Sequence, residues 1–516
     1  MTGNLESGLG LALDQLPQRY KGPGGVAGVV KDGKVIARRV WGHADMAKRL
    51  AMTAETRLPI CSISKQFTCA LLLDQAPALL DPFVADYLPK LMGVLPTVQQ
   101  LADNQSGLRD YWALTVLQGA FPEQEFRRSD ALPMLARMKT GHFAAGTSYS
   151  YCNNNFRILG ELIQRASGQE LGALLHDKVF VSAGMETAVL LPDARHNADG
   201  VVGYEGNDSI GFLPAQNGIW WAGDAGISAS LDDMLAWECY IDASRGDPAG
   251  IYNRLSVPPQ FSDGSKAIYG NGLSHAVVAG RGTTGHGGAL RGFRAHRRHV
   301  ASERLSVVVM FNHEADAATA AWGLIEAALA HVSTEEAVAP EGWSGLWLDE
   351  ADGLLVRTVP EDGAVTLHYA TTPARLKLGA DGVARSRSVS VERQGDALLM
   401  RRTDENREVL CRALLPQGHC GVAGIAGRYW SDEMEAWLEI GGGDGAAHAG
   451  FEGLLGRGPV ERMYPVAKDV WIITTRRSMD ASPPGDWTVV VEREAGVVTG
   501  LTLGCWLARG IRYRRS

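Results

Sequence analysis

The pattern of hydrophobic and polar positions divides the chain into two parts. Up to residue 331, apolar residues recur with helical spacing at 158–166 and 315–332, whereas 305–311 is an apolar run, interrupted only by Ser306, that is typical of a buried strand. Two short segments, 28–30 and 35–37, flank Asp32-Gly33, which predicts a β-hairpin around that turn. Strands at both ends with helices between them predict a mixed helix and strand domain at 1–331, whose sheet is assembled from its two ends.

The second part has a different pattern of hydrophobic and polar residues. Residues 332–341 predict a linker, after which short alternating strands are separated by Gly, Asp and Pro turns, with little helical pattern. Gly345-Leu346-Trp347 and Gly427-Arg428-Tyr429-Trp430 form a weak repeat with an offset of 82 residues. We therefore expect two similar all-β antiparallel barrels or sandwiches, at 342–416 and 417–516.

Composition and charge narrow the class of protein. A chain of 516 residues is several times the usual domain size, and its net charge of −8 argues against a nucleic-acid partner. No apolar stretch is long enough to span a membrane, and the first residues lack the pattern of a secretory signal. The seven cysteines are scattered, without a CxxC pair. We expect a cytoplasmic enzyme with reduced thiols and without a metal or other cofactor.

The first candidate for chemistry is Ser62-Ile63-Ser64-Lys65 at the start of a predicted helix. The i, i+3 spacing places the side chains of Ser62 and Lys65 on one helix face. Free N–H groups and the positive dipole end at a helix N-terminus would stabilise an oxyanion near the serine. A desolvated lysine loses its proton and can act as a base. The pair alone is weak evidence and needs supporting residues elsewhere.

Two further segments supply that support. Tyr151-Cys152-Asn153 precedes a predicted helix and can present a phenol for proton relay beside an amide for a substrate carbonyl. Thr284-Gly285-His286-Gly287-Gly288 surrounds a histidine with small residues, which allows close approach of a ligand to a strand backbone. Each segment alone also fits a structural role, as a loop tyrosine with a capping asparagine or as a buried histidine.

Together, Ser62-x-x-Lys65, Tyr151-x-Asn153 and His286-Gly287-Gly288 resemble, in order and spacing, the three motifs of the penicillin-recognising serine hydrolases. The resemblance covers about residues 20–331. It implies a catalytic domain of the β-lactamase/transpeptidase-like type, an α-β sandwich. Supporting segments also look similar to that family, namely 104–108, 226–230 and 269–272.

The resemblance implies a serine acyl-enzyme mechanism. Ser62 would attack the substrate carbonyl while Lys65 and Tyr151 share the proton transfers, and either of them could be the general base. The backbone N–H groups of Ser62 and Ala289 would form the oxyanion hole. Asn153 would bind the substrate amide beside Gly288. His286 stands where the family usually has lysine, which weakens the expectation of a carboxylate-ended substrate because histidine is mostly neutral at pH 7.

A family domain followed by two β modules resembles the D-aminopeptidases of that family. This implies eight-stranded barrels, a homodimer, and release of N-terminal D-amino acids with small side chains from small peptides, amides or esters. The alternatives are a carboxylesterase or D-amino-acid amidase with the same residues and, after these, a β-lactamase or DD-carboxypeptidase. A non-catalytic binding protein that keeps the fold is a further alternative, against which the three intact motifs argue.

An aminopeptidase must recognise a free ammonium group, for which a carboxylate is the simplest partner. Residues 476–486 form a long polar segment between predicted strands of the second β module. We expect this loop to reach the active site, to block large substrates and to offer Asp480 to the amine. The alternative with equal weight is an exposed hairpin tip.

Overall fold

The computed structural model describes residues 2–331, 341–369, 373–418, 421–443, 446–475, 478–481 and 486–516. The predicted linker at 332–341 therefore lies outside the described residues except for Glu341. Of the predicted loop at 476–486, residues 478–481 and 486 are described.

The part of the chain up to residue 331 forms a large sheet with helices on both sides. Its helices are α1 (Thr2–Asp14), α2 (Leu16–Arg19), α3 (Ser64–Leu72), α4 (Val98–Ala102), α5 (Tyr111–Leu117), α6 (Arg128–Arg137), α7 (Asn153–Ser167), α8 (Leu171–Leu175), α9 (Val181–Ala183), α10 (Leu231–Ala243), α11 (Ile251–Leu255) and α12 (Ala317–Ala328). A π-helical segment, His176–Phe180, joins α8 to α9. None of the helices in the described part of the chain is long and apolar enough to cross a membrane.

Its strands are β1 (Gly24–Lys31), β2 (Lys34–Asp45), β3 (Leu50–Ala51), β4 (Leu58–Pro59), β5 (Val189–Leu190), β6 (Tyr204–Asn207), β7 (Gly211–Pro214), β8 (Ile227–Ala229), β9 (Tyr269–Gly270), β10 (Leu273–Val278), β11 (Arg281–Leu290), β12 (Phe293–Val300) and β13 (Leu305–Phe311). The large sheet has the order β3-β2-β1-β13-β12-β11-β10-β9 and is antiparallel. Strand β13 pairs with β1, Val307 opposite Val29, which confirms the prediction of one sheet built from both ends. Every residue of β13 is buried, in agreement with its mostly apolar sequence.

Both faces of this sheet are covered, because apolar side chains of its strands point to opposite sides in alternation. One face packs on α1 and α12 through Val29, Val307 and Leu324. The opposite face packs on α3 and α10 through Val26, Val308 and other residues of a larger core. The active-site motifs lie on this second side.

The C-terminal part consists of two closed, eight-stranded antiparallel barrels. The first contains β14 (Gly345–Asp349), β15 (Leu354–Glu361), β16 (Ala364–Tyr369), β17 (Ala374–Leu378), β18 (Val383–Arg385), β19 (Val389–Gln394), β20 (Ala397–Arg402) and β21 (Arg407–Ala413). The second contains β22 (Gly427–Ser431), β23 (Ala436–Gly443), β24 (Ala446–Gly453), β25 (Gly456–Ala467), β26 (Val470–Ile473), β27 (Trp487–Glu494), β28 (Val497–Cys505) and β29 (Ala508–Arg515). The repeated segments begin β14 and β22, the first strand of each barrel, so the weak repeat marks two equivalent barrels.

The remaining helical turns are short 3₁₀ segments. They are Cys61–Ile63, Pro77–Leu79, Asp81–Asp86, Ala198–Gly200, Ala301–Glu303, Thr403–Glu405 and Val422–Gly424.

Candidate active site

Ser62 lies in the 3₁₀ turn Cys61–Ile63, which leads directly into α3 at Ser64. Lys65 is completely buried, and its Nζ lies 3.0 Å from Ser62 Oγ. The Nζ also donates to Asn153 Oδ1 at 2.7 Å and to the Asp224 carbonyl oxygen at 2.7 Å. Burial lowers the pKa of Lys65 to about 8, although the nearby Asp224 and Asp110 carboxylates favour the charged form.

The second motif lies against this pair. Helix α7 begins at Asn153 itself, so the Asn153 amide sits on the first turn of the helix that the sequence placed after this motif. The Tyr151 side chain lines the same cleft as Ser62. Burial raises the pKa of Tyr151 well above its ordinary value, so the phenol is protonated near neutral pH. Lys65 Nζ lies 5.0 Å from the centre of the Tyr151 ring.

The third motif forms β11, which passes directly over the Ser62 turn. A Cβ atom on Gly288 would lie 2.3 Å from the Ile60 carbonyl oxygen and 3.0 Å from Cys61 Cβ. Only glycine therefore permits this approach, and the next residue, Ala289, lines the same cleft as Ser62. Cys61 itself has a φ of +51°, a left-handed conformation that is unfavourable for a non-glycine residue.

His286 is buried and shares a 2.8 Å hydrogen bond between its Nε2 and the Tyr269 hydroxyl. Its Nδ1 contacts the Gly287 carbonyl oxygen. Burial and the charge of Lys65 lower the pKa of His286 to about 3. The imidazole is therefore neutral at pH 7, as its type alone had indicated, and it carries no fixed positive charge.

Asp480 from the second barrel lines the same cleft as Ser62, Tyr151 and His286. Its backbone carbonyl accepts a 2.8 Å hydrogen bond from Arg291 N, directly after β11, which docks the 478–481 segment onto the catalytic part. Burial raises the pKa of the Asp480 carboxyl, and the Asp224 charge adds to this. Ser478 Oγ donates to Asp480 Oδ1 at 3.1 Å. Of the described residues of the predicted loop, Ser478, Asp480 and Ala481 line the cleft, whereas Asp486 is exposed to solvent.

The cleft has a volume of about 650 Å³. Its walls come from both parts of the chain: Trp112, Val116 and Trp221 from the catalytic part, Trp487 and Leu507 from the second barrel. This indicates a site for a small ligand enclosed by apolar side chains and a few polar groups.

Sequence reasoning missed two buried carboxylates. Asp110 Oδ2 accepts hydrogen bonds from Asn153 N and Nδ2, and Asp224 Oδ2 accepts one from Tyr111 OH at 2.7 Å. Burial raises the pKa of both, that of Asp110 to about 7. Asp110 follows the supporting segment 104–108 and Asp224 precedes the segment 226–230. A single aspartate in such loops resembles an ordinary turn or cap residue, so only proximity in space reveals their connection to Lys65.

Comparison with known protein families identifies two families that this chain matches, one for each part. The β-lactamase family model matches residues 11–330, and the model for D-aminopeptidase, domain B matches residues 336–514. The fold and the Ser62, Lys65 and Tyr151 cluster thus define a serine hydrolase of the β-lactamase type.

Curated relatives make the assignment more specific. The chain is 59% identical to the D-aminopeptidase of Cereibacter sphaeroides over all of both chains. It is 49% identical to the D-aminopeptidase of Brucella anthropi, with 97% of this chain and 96% of that relative covered. The chain therefore belongs to the D-aminopeptidase family of serine hydrolases.

Solved structures support the fold. The octameric penicillin-binding protein homologue from Pyrococcus abyssi matches with a TM-score of 0.55 and 18% identity, over 79% of this chain and 99% of that one. A D-stereospecific amidohydrolase from Streptomyces matches with a TM-score of 0.50 and 19% identity, over 64% of this chain and 99% of that one. At these identities the likeness concerns the fold alone.

Proposed function

We propose that this protein is a serine aminopeptidase that removes N-terminal D-amino acids from short peptides, amides or esters. The observation that carries the proposal is the meeting of two groups in one cleft: the Ser62 nucleophile with its buried amine, and the Asp480 carboxylate from the second barrel. The first supplies acyl transfer and the second a partner for a substrate ammonium. The family membership supports the same activity.

In the proposed mechanism Lys65 is the general base. When the amine is neutral, its two N–H groups donate to Asn153 Oδ1 and to the Asp224 carbonyl, and its lone pair faces Ser62 Oγ at 3.0 Å. A pKa of about 8 makes this neutral form accessible near neutral pH, whereas the Tyr151 phenol stays protonated. Lys65 is therefore better suited than Tyr151 to accept the first proton.

Ser62 Oγ attacks the substrate carbonyl and gives its proton to Lys65. The N–H groups of Ser62 and Ala289 stabilise the oxyanion, while Asn153 holds the substrate amide. The proton then passes through Tyr151 to the leaving amine as the carbon–nitrogen bond breaks. Water hydrolyses the resulting acyl-enzyme and regenerates Ser62. His286 supports the leaving-group side as a neutral group hydrogen-bonded to Tyr269.

The other activities considered for these motifs are less well supported. A β-lactamase or DD-carboxypeptidase binds a substrate carboxylate, yet His286 is uncharged and the cleft carries the carboxyl of Asp480. A carboxylesterase needs no ammonium partner, which leaves Asp480 without a role. The names of the curated relatives also favour the aminopeptidase.

The test is hydrolysis of D-alanine p-nitroanilide and of its L-isomer by the full-length protein, with Ser62→Ala as the control. We expect turnover of the D-isomer only, abolished in the variant. The proposal fails if neither anilide is cleaved while simple aryl esters are.

The role of Asp480 has its own test. Asp480→Asn keeps the size of the side chain but removes the charge that pairs with the substrate ammonium. We expect KM for D-alanine p-nitroanilide to rise at least about tenfold, equivalent to about 1.4 kcal/mol of lost binding. Hydrolysis of p-nitrophenyl acetate, which has no amine, should be nearly unchanged. Equal losses on both substrates would contradict ammonium recognition.

We propose further that small side chains are preferred, because bulky residues enclose the cleft, and that the enzyme is a cytoplasmic homodimer. Comparison of D-alanine and D-phenylalanine anilides tests the first proposal. Light scattering after size-exclusion chromatography tests the dimer, and fractionation of the producing cells tests the location.

A further inference from the structure

The two carboxylate oxygens of Asp110 accept hydrogen bonds from two different helices, α5 and α7. Oδ1 caps helix α5 by accepting from Trp112 N at 3.0 Å and Ala113 N at 3.2 Å. Oδ2 accepts from Asn153 N at 2.6 Å and Asn153 Nδ2 at 2.9 Å. The second oxygen therefore fixes both the start of α7 and the orientation of the Asn153 amide, so that Asn153 Oδ1 faces Lys65.

A continuous chain of buried hydrogen bonds leads from Asp110 to the nucleophile. Asn153 Oδ1 accepts from Lys65 Nζ at 2.7 Å, and Lys65 Nζ lies 3.0 Å from Ser62 Oγ. Asp110, Asn153 and Lys65 are each at most 6% exposed. Because water cannot replace a missing partner at such depth, a change in Asp110 is transmitted to the amine.

The series of hydrogen bonds also extends from Asp110 in the other direction, into the second barrel. Asp110 N donates at 2.9 Å to the carbonyl oxygen of Leu507, in the turn between β28 and β29. The preceding residue, Arg109, donates from Nε to the Arg509 carbonyl at 2.8 Å and from Nη1 to Glu433 at 2.6 Å. The residues that hold Asn153 are thus held by the barrel.

We infer that Asp110 is a positioning residue for the serine–lysine pair, and that the β28–β29 turn of the second barrel completes the active site by holding Asp110 in place. This role concerns the site of the proposed function and rests on it. The barrel then serves the acylation chemistry itself, in addition to supplying Asp480 to the substrate amine.

The experiment measures phosphonylation of Ser62 in the full-length protein by a fluorophosphonate probe without an amine, followed by mass spectrometry. In the Asp110→Asn variant an NH₂ group replaces one of the two carboxylate oxygens. An NH₂ group cannot accept the hydrogen bonds that N–H groups donate to that oxygen in the wild type. We expect the labelling rate to fall about 10²-fold, the effect of a small misplacement of reacting groups. Labelling at the wild-type rate would overturn the inference.

Gln118 provides a matched control. Its side chain is buried at the opposite end of α5 and bonds the same barrel, donating to the Met434 carbonyl at 2.7 Å and accepting from Leu454 N at 2.8 Å. Gln118→Ala should lower Tm at least as much as Asp110→Asn. Its Ser62 should nevertheless be labelled within about twofold of the wild-type rate, because Gln118 contacts none of the hydrogen-bonded residues that link Asp110 to Ser62. Equal loss of labelling in both variants would indicate general destabilisation and overturn the inference.

If Asp110→Asn does not fold, Arg109→Lys decides the question. It keeps a positive charge near Glu433 but loses the bond to the Arg509 carbonyl, and labelling should slow about three- to tenfold. An unchanged rate would overturn the role of the barrel. If the probe labels the wild-type protein but that protein does not cleave D-alanine p-nitroanilide, the proposed function is refuted. The positioning role of Asp110 is then judged from the labelling rates of the variants alone.

Discussion

At the scale of single residues, the site depends on a lysine kept in an unusual environment. Burial disfavours the charge of Lys65, while Asp224 and Asp110 favour it, and the balance leaves a pKa of about 8. The amine therefore exchanges its proton close to neutral pH. An exposed lysine would stay protonated there and could not accept the Ser62 proton.

We predict that the rate of Ser62 phosphonylation depends on this ionisation. The rate should rise with pH up to about pH 8 and level off above it, because only neutral Lys65 accepts the proton. The measurement is the labelling rate between pH 5.5 and 9.5 with a fluorophosphonate, which lacks an amine that would titrate in the same range. A rate independent of pH from 6 to 9 would contradict the assignment of Lys65 as the base.

At the scale of elements, the site depends on how closely β11 approaches the turn that bears Ser62. Strand β11 pairs with β12 on one side, Gly288 opposite Ala295. Beyond Gly285 it no longer pairs with β10. The edge at His286–Ala289 is therefore available to a substrate, and glycine at 288 lets this edge reach the nucleophile.

Gly288→Ala should remove this approach. The added methyl group would overlap the Ile60 carbonyl oxygen at 2.3 Å, so the strand or the turn must shift. We expect the rate of D-alanine p-nitroanilide hydrolysis to fall at least about 10²-fold and the free energy of unfolding to fall by about 1–3 kcal/mol. Steady-state kinetics and urea denaturation measure the two effects.

Gly282→Ala in the same strand is the matched control, because a Cβ there meets nothing within 4 Å. It should retain activity and stability close to those of the wild type. A similar loss in both variants would show that any alanine in β11 is harmful, and that the approach at Gly288 has no special importance.

At the scale of the whole molecule, a buried carboxylate joins the two barrels. Glu405 of the first barrel accepts from Arg402 Nε at 2.8 Å, and from Trp506 Nε1 at 2.7 Å and Arg509 Nη2 at 3.1 Å in the second. Its backbone carbonyl accepts from Ser148 Oγ of the catalytic part. Burial alone would raise the pKa of Glu405, but Arg402 and Arg509 lower it to about 2. All three parts of the chain therefore meet at this residue.

Glu405→Gln should destabilise the protein in a pH-dependent manner. The folded-state pKa lies below the ordinary 4.5, so the charged carboxylate contributes stability above pH 4.5, about 3 kcal/mol, and this is lost as pH falls from 4.5 toward 2. The difference in unfolding free energy between wild type and variant should be largest near pH 7 and shrink in that window. Urea titrations at several pH values measure it.

Asp381→Asn tests whether the stability contributed by Glu405 depends on its burial. Asp381 also has its pKa lowered to about 2, by Arg385, but the pair is about half exposed to solvent. Solvent screens such pairs, so its loss should change stability far less than that of Glu405. An equal change in both variants would contradict a special role for the junction.

Much of this arrangement could be predicted from the sequence because it depends on local patterns. Turn residues, alternation and apolar runs are all local features, so the hairpin around Asp32-Gly33, the buried strand at 305–311 and the repeated barrels were all predictable. The three motifs identified the family for the same reason, since each occupies a few consecutive residues. The roles of Ser62, Lys65 and Tyr151 remain predictions until the experiments above are done.

What the sequence by itself determined is therefore the family, the division into a catalytic part and two barrels, and several of the elements, and it predicted the reacting residues. Only the tertiary structure decided the setting of Lys65 between Asp110 and Asp224, the placement of Asp480 in the cleft and the contact of Leu507 with Asp110. These features join residues from about 45 to 400 positions apart along the chain. Packing brings them together, and the field and desolvation that set a pKa act through space, so no local pattern records them.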